Sequence, residues 1–253
     1  MNFASWLPFN PRILAGILVT ITILSGFKNG YFSAIPKARP FFNFKRYGAG
    51  LLVLAVFFCL IIPFDTRLLN FIQSDRPVWV EALSRIGVWL NRNVEFWIVI
   101  TGVYLTALAA GRRGLAVTFF SAFLASALTG LAGHVLKFVF LRARPYSFLG
   151  PFSFFNAGGF HENRHAFQSL PSGDVALIAG AAAFFFFAVR RLIFRLPFLI
   201  LPVCAALQRI TDDKHWPSDT AASIGLGFLI AHAVWTYQQN SLACSGSPIP
   251  AQK

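Results

Sequence analysis

Charge is what this sequence has least of. Asp, Glu, Lys and Arg make up 12% of its 253 residues, where soluble domains carry roughly 25%, so a water-facing globule cannot be built from this mixture. Acidic groups are scarcest, nine against 22 Lys and Arg. Asp212-Asp213 has no second acidic cluster to work with, which argues against the magnesium-gripping carboxylate sets of diphosphate transferases. Cysteine is rare too: Cys59, Cys204 and Cys244 show no CxxC or Cys/His spacing, which argues against a structural zinc site and a disulfide framework. They read as small buried hydrophobes. No internal repeat is visible. What is abundant is apolar: 56% hydrophobic residues, with 30 Phe and six Trp, the composition of a helical membrane domain with lipid contacts and interfacial belts. The net charge of +13 lies between apolar runs, and so reports orientation and anionic lipid rather than nucleic acid.

The apolar runs predict an all-α polytopic bundle with six core transmembrane helices, near 48–64, 94–110, 115–140, 172–189, 196–210 and 220–237. Residues 13–27 form a short apolar segment, interfacial or spanning, followed by a basic aromatic linker; this N-terminal part covers 1–47. Residues 65–93 are amphipathic and predict helices lying in the interface. The polar tail 238–253 is expected to be disordered. The middle of the third span is rich in small residues (Ser121, Ala122, Ala125, Ser126, Gly130, Gly133), which permits close helix packing. Lys37, Arg39, Lys45 and Arg46, then Arg112 and Arg113, then Arg190, Arg191 and Arg195 fall on alternate connections. The positive-inside rule makes that face cytoplasmic. The long loop 141–170 and the 208–219 stretch then face outward, toward the periplasm of a bacterial-type inner membrane.

Three clusters share that outer face. Lys137 and Arg144-Pro145 close the third span, offering a point charge and a planar fork for phosphate oxygens. Pro171-Ser172-Gly173 opens the fourth, where free N–H groups and the Ser172 hydroxyl meet an anion and Gly173 leaves room for it. Arg209, His215 and Asp219 lie between the fifth and sixth. Neutral imidazole is a competent nucleophile toward phosphorus once its tautomer is held, and Asp219 is expected to reach His215 Nδ1, leaving Nε2 to attack. His134, one turn before Lys137, reads more readily as an interior histidine than as a participant.

The pattern Lys-x6-Arg-Pro, Pro-Ser-Gly and Arg-x5-His-x3-Asp over 137–219 resembles the type 2 phosphatidic acid phosphatase superfamily of lipid and acid phosphatases. That resemblance implies a phosphohistidine on His215, orientation of His215 by Asp219, and a phosphate cradle of Lys137, Arg144, Arg209 and the Ser172–Gly173 amides, with no metal or cofactor. Integral members act on lipids such as phosphatidylglycerophosphate, undecaprenyl pyrophosphate or lipid A. Two positions depart from the family pattern. Gln208 replaces a serine, and Asp174 replaces the histidine held to protonate the leaving oxygen. Three readings follow: Asp174 is itself the donor; His161 or His165 of the long loop supplies the proton; or the leaving group needs little help, as in a phosphoanhydride or a sugar 1-phosphate. The expected activity is a membrane lipid phosphatase. A lipid phosphotransferase and a non-catalytic lipid-phosphate-binding or flipping protein are the alternatives.

Overall fold

The computed structural model describes residues 11–29, 44–74 and 76–244. Among these the chain is helical and contains no strand. The order is α1 (Pro11–Lys28), α2 (Phe44–Ile61), α3 (Asp65–Ser74), α4 (Val78–Leu90), α5 (Asn93–Ala109), α6 (Arg113–Phe140), α7 (Ala157–Glu162), α8 (Gly173–Ala188), α9 (Leu192–Thr211) and α10 (Pro217–Cys244). Four stretches are long and apolar enough to cross a bilayer: Tyr47–Ser74, Arg113–Ser147, Leu192–Thr211 and Pro217–Asn240. The apolar helices α1, α5 and α8 are shorter. The all-α membrane bundle is therefore present, built from four long apolar helices and three short ones. α1 packs on α5 and hydrogen-bonds it through Ser25 and Tyr104.

The bundle centres on α8, which packs against α6, α9 and α10. Small residues allow this. A Cβ on Gly180 of α8 would stand 2.7 Å from the Ala125 carbonyl oxygen of α6, and one on Gly227 of α10 would stand 2.9 Å from the Ala179 carbonyl carbon. Backbones this close are the packing expected of small-residue faces in lipid. Ser126 adds a bond from its Oγ to the Leu177 carbonyl at 2.7 Å.

Chain punctuation follows local chemistry. Pro63 lies in a 3-10 turn, Ile62–Phe64, between α2 and α3, since proline lacks the N–H an α-ladder needs. Gly111, at φ +68°, takes the left-handed position of the basic turn before α6. The expected amphipathic segment forms α3 and α4, and α4 lies on the C-terminal half of α9, with Gly87 against the Cys204 carbonyl. Helix α10 continues past Tyr237 to Cys244, so part of the expected disordered tail is helical. The basic linker and the last residues of the tail lie largely outside the described residues. The long loop is compact: α7, two 3-10 turns, and bonds from Arg144 N to Ala166 O (2.8 Å) and Ser169 N to Arg142 O (3.1 Å) fold it back along itself.

Candidate active site

The C-terminal end of α6, the loop behind it, the start of α8, the end of α9 and the start of α10 all meet at one end of the bundle. Each junction exposes backbone groups that a helix cannot satisfy internally. At α10, Pro217 occupies the first helical position, where its missing N–H is harmless. Asp219, two residues further, turns its carboxylate back to the Trp216 N–H at 2.9 Å, the acidic half of a capping box. This local rule buries Asp219 beside His215. At α8, Ser172 precedes the first turn without using its side chain as a cap, so the free N–H groups there remain available to an anion.

His215 is 2% exposed. Its Nδ1 lies 2.7 Å from the Ser169 carbonyl. A carbonyl only accepts, so Nδ1 carries the proton and Nε2 keeps its lone pair. Asp219 Oδ2 stands 3.8 Å from Nδ1, near enough for charge but too far for a hydrogen bond. The expected direct bond from Asp219 to Nδ1 is thus replaced by one to the main chain. Asp219 Oδ2 is occupied by the Ser169 hydroxyl at 2.5 Å and the Trp216 N–H. Burial pushes His215 below the ordinary histidine range; Asp219 opposes that shift, and the Lys137 and Arg144 charges add to it. The ring is therefore neutral at neutral pH.

Around this ring the structure leaves buried donors unused. Arg144 Nε, Gln168 Nε2, Ser172 Oγ and Arg209 Nε are buried without a hydrogen-bond partner. Buried polar groups are normally paired, and these four unpaired donors, three from the three motifs and Gln168 from the loop, are what an oxyanion would satisfy. Lys137 closes the same site: a Cβ on Gly173 would sit 3.5 Å from its Nζ. A cleft of about 360 Å³ between α6 and α8, lined by Gly130, His134, Lys137, Gly173, Asp174 and Leu177, leads up to this point.

The two departures from the family pattern resolve differently. Gln208 is buried, accepts from Asn91 Nδ2 at 2.7 Å and donates to Asp212 Oδ2 at 2.5 Å; it braces the turn after α9. Asp174 forms an ion pair with Arg209 Nη2 at 2.6 Å. His161 and His165 are exposed on α7 and the turn after it, away from the lining of the cleft.

Sequence reading missed Asp65, Arg142 and Ser169. Arg142 is fully buried and bridges Asp65 and Asp219. The available signal was Asp65 itself, a carboxylate closing a long apolar run, which demands a partner. Among the described residues no group of three or more His, Cys, Asp and Glu side chains gathers as a metal site would require.

A helical membrane protein with a buried neutral imidazole inside a ring of cations belongs to the phosphate-handling classes. The family is more specific: a model of the PAP2 superfamily matches residues 118–243, and the chain belongs to that superfamily, which includes lipid phosphatases. No curated protein and no solved structure gives a match.

Proposed function

We propose that this protein hydrolyses a phosphate from a membrane lipid on the outer face of the cytoplasmic membrane, through a phosphohistidine on His215. The observation that carries the reading is the coincidence of unused buried donors with an imidazole whose Nδ1 proton is committed to the Ser169 carbonyl. His215 Nε2 attacks phosphorus as the P–O bond to the leaving group breaks. Lys137, Arg144, Arg209 and the first amides of α8 hold the transferring phosphoryl oxygens. Water then attacks phosphorus, the P–N bond breaks and inorganic phosphate departs. The basic turns at Arg112–Arg113 and Arg190–Arg191, at the bundle end opposite the site, support the outward orientation.

The leaving group follows from what surrounds the site. Asp174 is held in an ion pair with Arg209 rather than turned to a leaving oxygen, and His161 and His165 stand outside the cleft. This favours a substrate whose leaving oxygen needs little protonation: a lipid pyrophosphate or the 1-phosphate of a glycolipid. The competing donor is His134, favoured by its place in the cleft beside Lys137. Purified protein in detergent tests both. We expect undecaprenyl pyrophosphate or lipid A 1-phosphate to turn over at least about tenfold faster than phosphatidylglycerophosphate, and His215→Ala to abolish both phosphate release and an acid-labile phosphoryl label. Equal rates on all three lipids, with the alkyl monoester alone slowed by His134→Ala, would move the proton to His134.

A further inference from the structure

A second buried constellation lies behind Asp219, and its key member lies outside the matched family segment. Asp65, Arg142, Ser218 and Asp219 are each fully buried and come from the start of α3, the loop after α6 and the first turn of α10. Arg142 Nη2 meets Asp65 Oδ2 at 2.6 Å. Arg142 Nη1 donates to Asp219 Oδ1 and, at 2.8 Å, to Ser218 Oγ. Nε and Nη2 also reach the Pro151 carbonyl at 3.0 and 2.7 Å. Asp65 Oδ1 accepts the Ser218 N–H at 2.8 Å, placing a carboxylate at the positive end of α10. The Phe154 ring lies 4.9 Å from the guanidinium centre, with Phe58 and Trp216 alongside. Aromatic walls and committed donors hold the guanidinium in one place.

Charge counting gives this arrangement a purpose. Asp65, Arg142 and Asp219 together carry one net negative charge, the same as Asp219 alone. Arg142 without Asp65 would cancel the Asp219 carboxylate, and His215 would become cationic beside a neutral pair. We propose that Asp65 is a positioning residue of the active site: by neutralising Arg142 it preserves the negative charge with which Asp219 stabilises the phosphorylated, cationic His215. The inference rests on the phosphohistidine reading above. In the first step the Nε2 lone pair forms the P–N bond, the P–O electrons leave with the departing oxygen, and the ring keeps its Nδ1 proton on the Ser169 carbonyl. In the second, water forms the new P–O bond, its proton passes to solvent, and the P–N electrons return to the ring. No proton passes through Asp65 or Arg142, so their effect is electrostatic and geometric.

The test uses the full chain in detergent with a lipid pyrophosphate as substrate and inorganic phosphate as a probe of the phosphate cradle. Asp65→Asn should lower kcat at least about tenfold, leave KM within about twofold, and leave inhibition by inorganic phosphate unchanged, because the cradle itself is untouched. Asp65→Asn/Arg142→Gln removes both charges and returns the Asp219 charge, so it should turn over faster than Asp65→Asn alone. A purely structural role predicts the reverse, since each loss from a buried network adds damage. Wild-type kcat in Asp65→Asn, or a double variant no faster than it, overturns the proposal. Should Asp65→Asn not fold, the double variant decides: turnover within about tenfold of wild type upholds the assignment, and slower turnover or failure to fold overturns it. Unchanged phosphate release by His215→Ala would instead remove the phosphohistidine reading beneath it.

Discussion

At the scale of single residues, the proposed chemistry turns on how His215 is kept neutral. Its folded-state shift is downward and is caused first by burial. Activity that needs the free Nε2 lone pair should therefore persist as pH falls through about 6.5, the ordinary histidine value, and decline only below it. A kcat/KM profile over mildly acidic pH checks this; half-loss at or above the ordinary value contradicts it. The stability sign runs the same way. An unfolded His215 binds a proton in that window and the folded one does not, so its contribution is complete above the unfolded value and is lost as pH falls toward the folded one. Asp174→Asn should leave the acidic limb, which belongs to His215, in place and retain turnover within about tenfold, because Asp174 is held in an ion pair with Arg209. A loss beyond about tenfold together with disappearance of an alkaline limb, where a group that must be protonated to act shows itself, would return the donor role to Asp174. The cations, the Pro-Ser-Gly turn and His215 were legible from spacing alone. Arg142, Asp65 and Ser169 were not, because the contacts that join Arg142 to Asp65, Ser169 to His215 and Asp65 to Ser218 span between 46 and 153 positions along the chain and no local pattern encodes such a meeting.

At the scale of helices, position depends on where side chains are missing. Gly87 lets α4 lie on α9: a Cβ there would fall 2.1 Å from the Cys204 carbonyl oxygen and 2.7 Å from Gln208 Cβ. Backbone cannot yield as a flexible side chain does, so Gly87→Ala should destabilise the protein by about 1–3 kcal/mol, read as a lower melting temperature in detergent. Since Asn91 of the same region bonds Gln208 at 2.7 Å, the shift should reach the turn that carries Arg209 and His215. An unchanged melting temperature would mean that α4 does not press on α9. The helices themselves were readable from hydropathy, within a few residues at most ends. Less readable was the amphipathic stretch, where sequence gives the apolar face of α4 but not the helix that covers it. Four helices reach spanning length, while α8, at 16 residues, is about 24 Å long by helix geometry.

At the scale of the whole molecule, the chain sorts charge between its two ends. Arg112, Arg113, Arg190 and Arg191 gather at one, and the half-buried Lys137, Arg144 and Arg209 at the other. Aromatic and aliphatic side chains such as Phe148, Phe152 and Phe155 project from the long loop on the site's side, where they suit the headgroup boundary. With the native cysteines replaced, a cysteine at Gly150 should react with a membrane-impermeant thiol reagent in intact cells, and one at Arg191 only after lysis. The opposite labelling would invert the orientation and move the substrate to the inner leaflet. Composition alone announced a membrane protein, and the alternation of basic turns is what the proposed orientation rests on. That Asp65, ahead of the segment starting at residue 118, meets Arg142 and the Ser218 N–H became visible only with the fold.

The hydrogen bond from His215 Nδ1 to the Ser169 carbonyl carries a lesson for anyone altering this protein. No codon change at Ser169, short of one that reroutes the chain, can delete that acceptor; a replacement there strips the hydroxyl from Asp219 but leaves the imidazole aimed as before. The enzyme's aim is thus insulated from point mutation at the contact itself, and its vulnerability moves outward to whatever keeps the loop folded against Arg142.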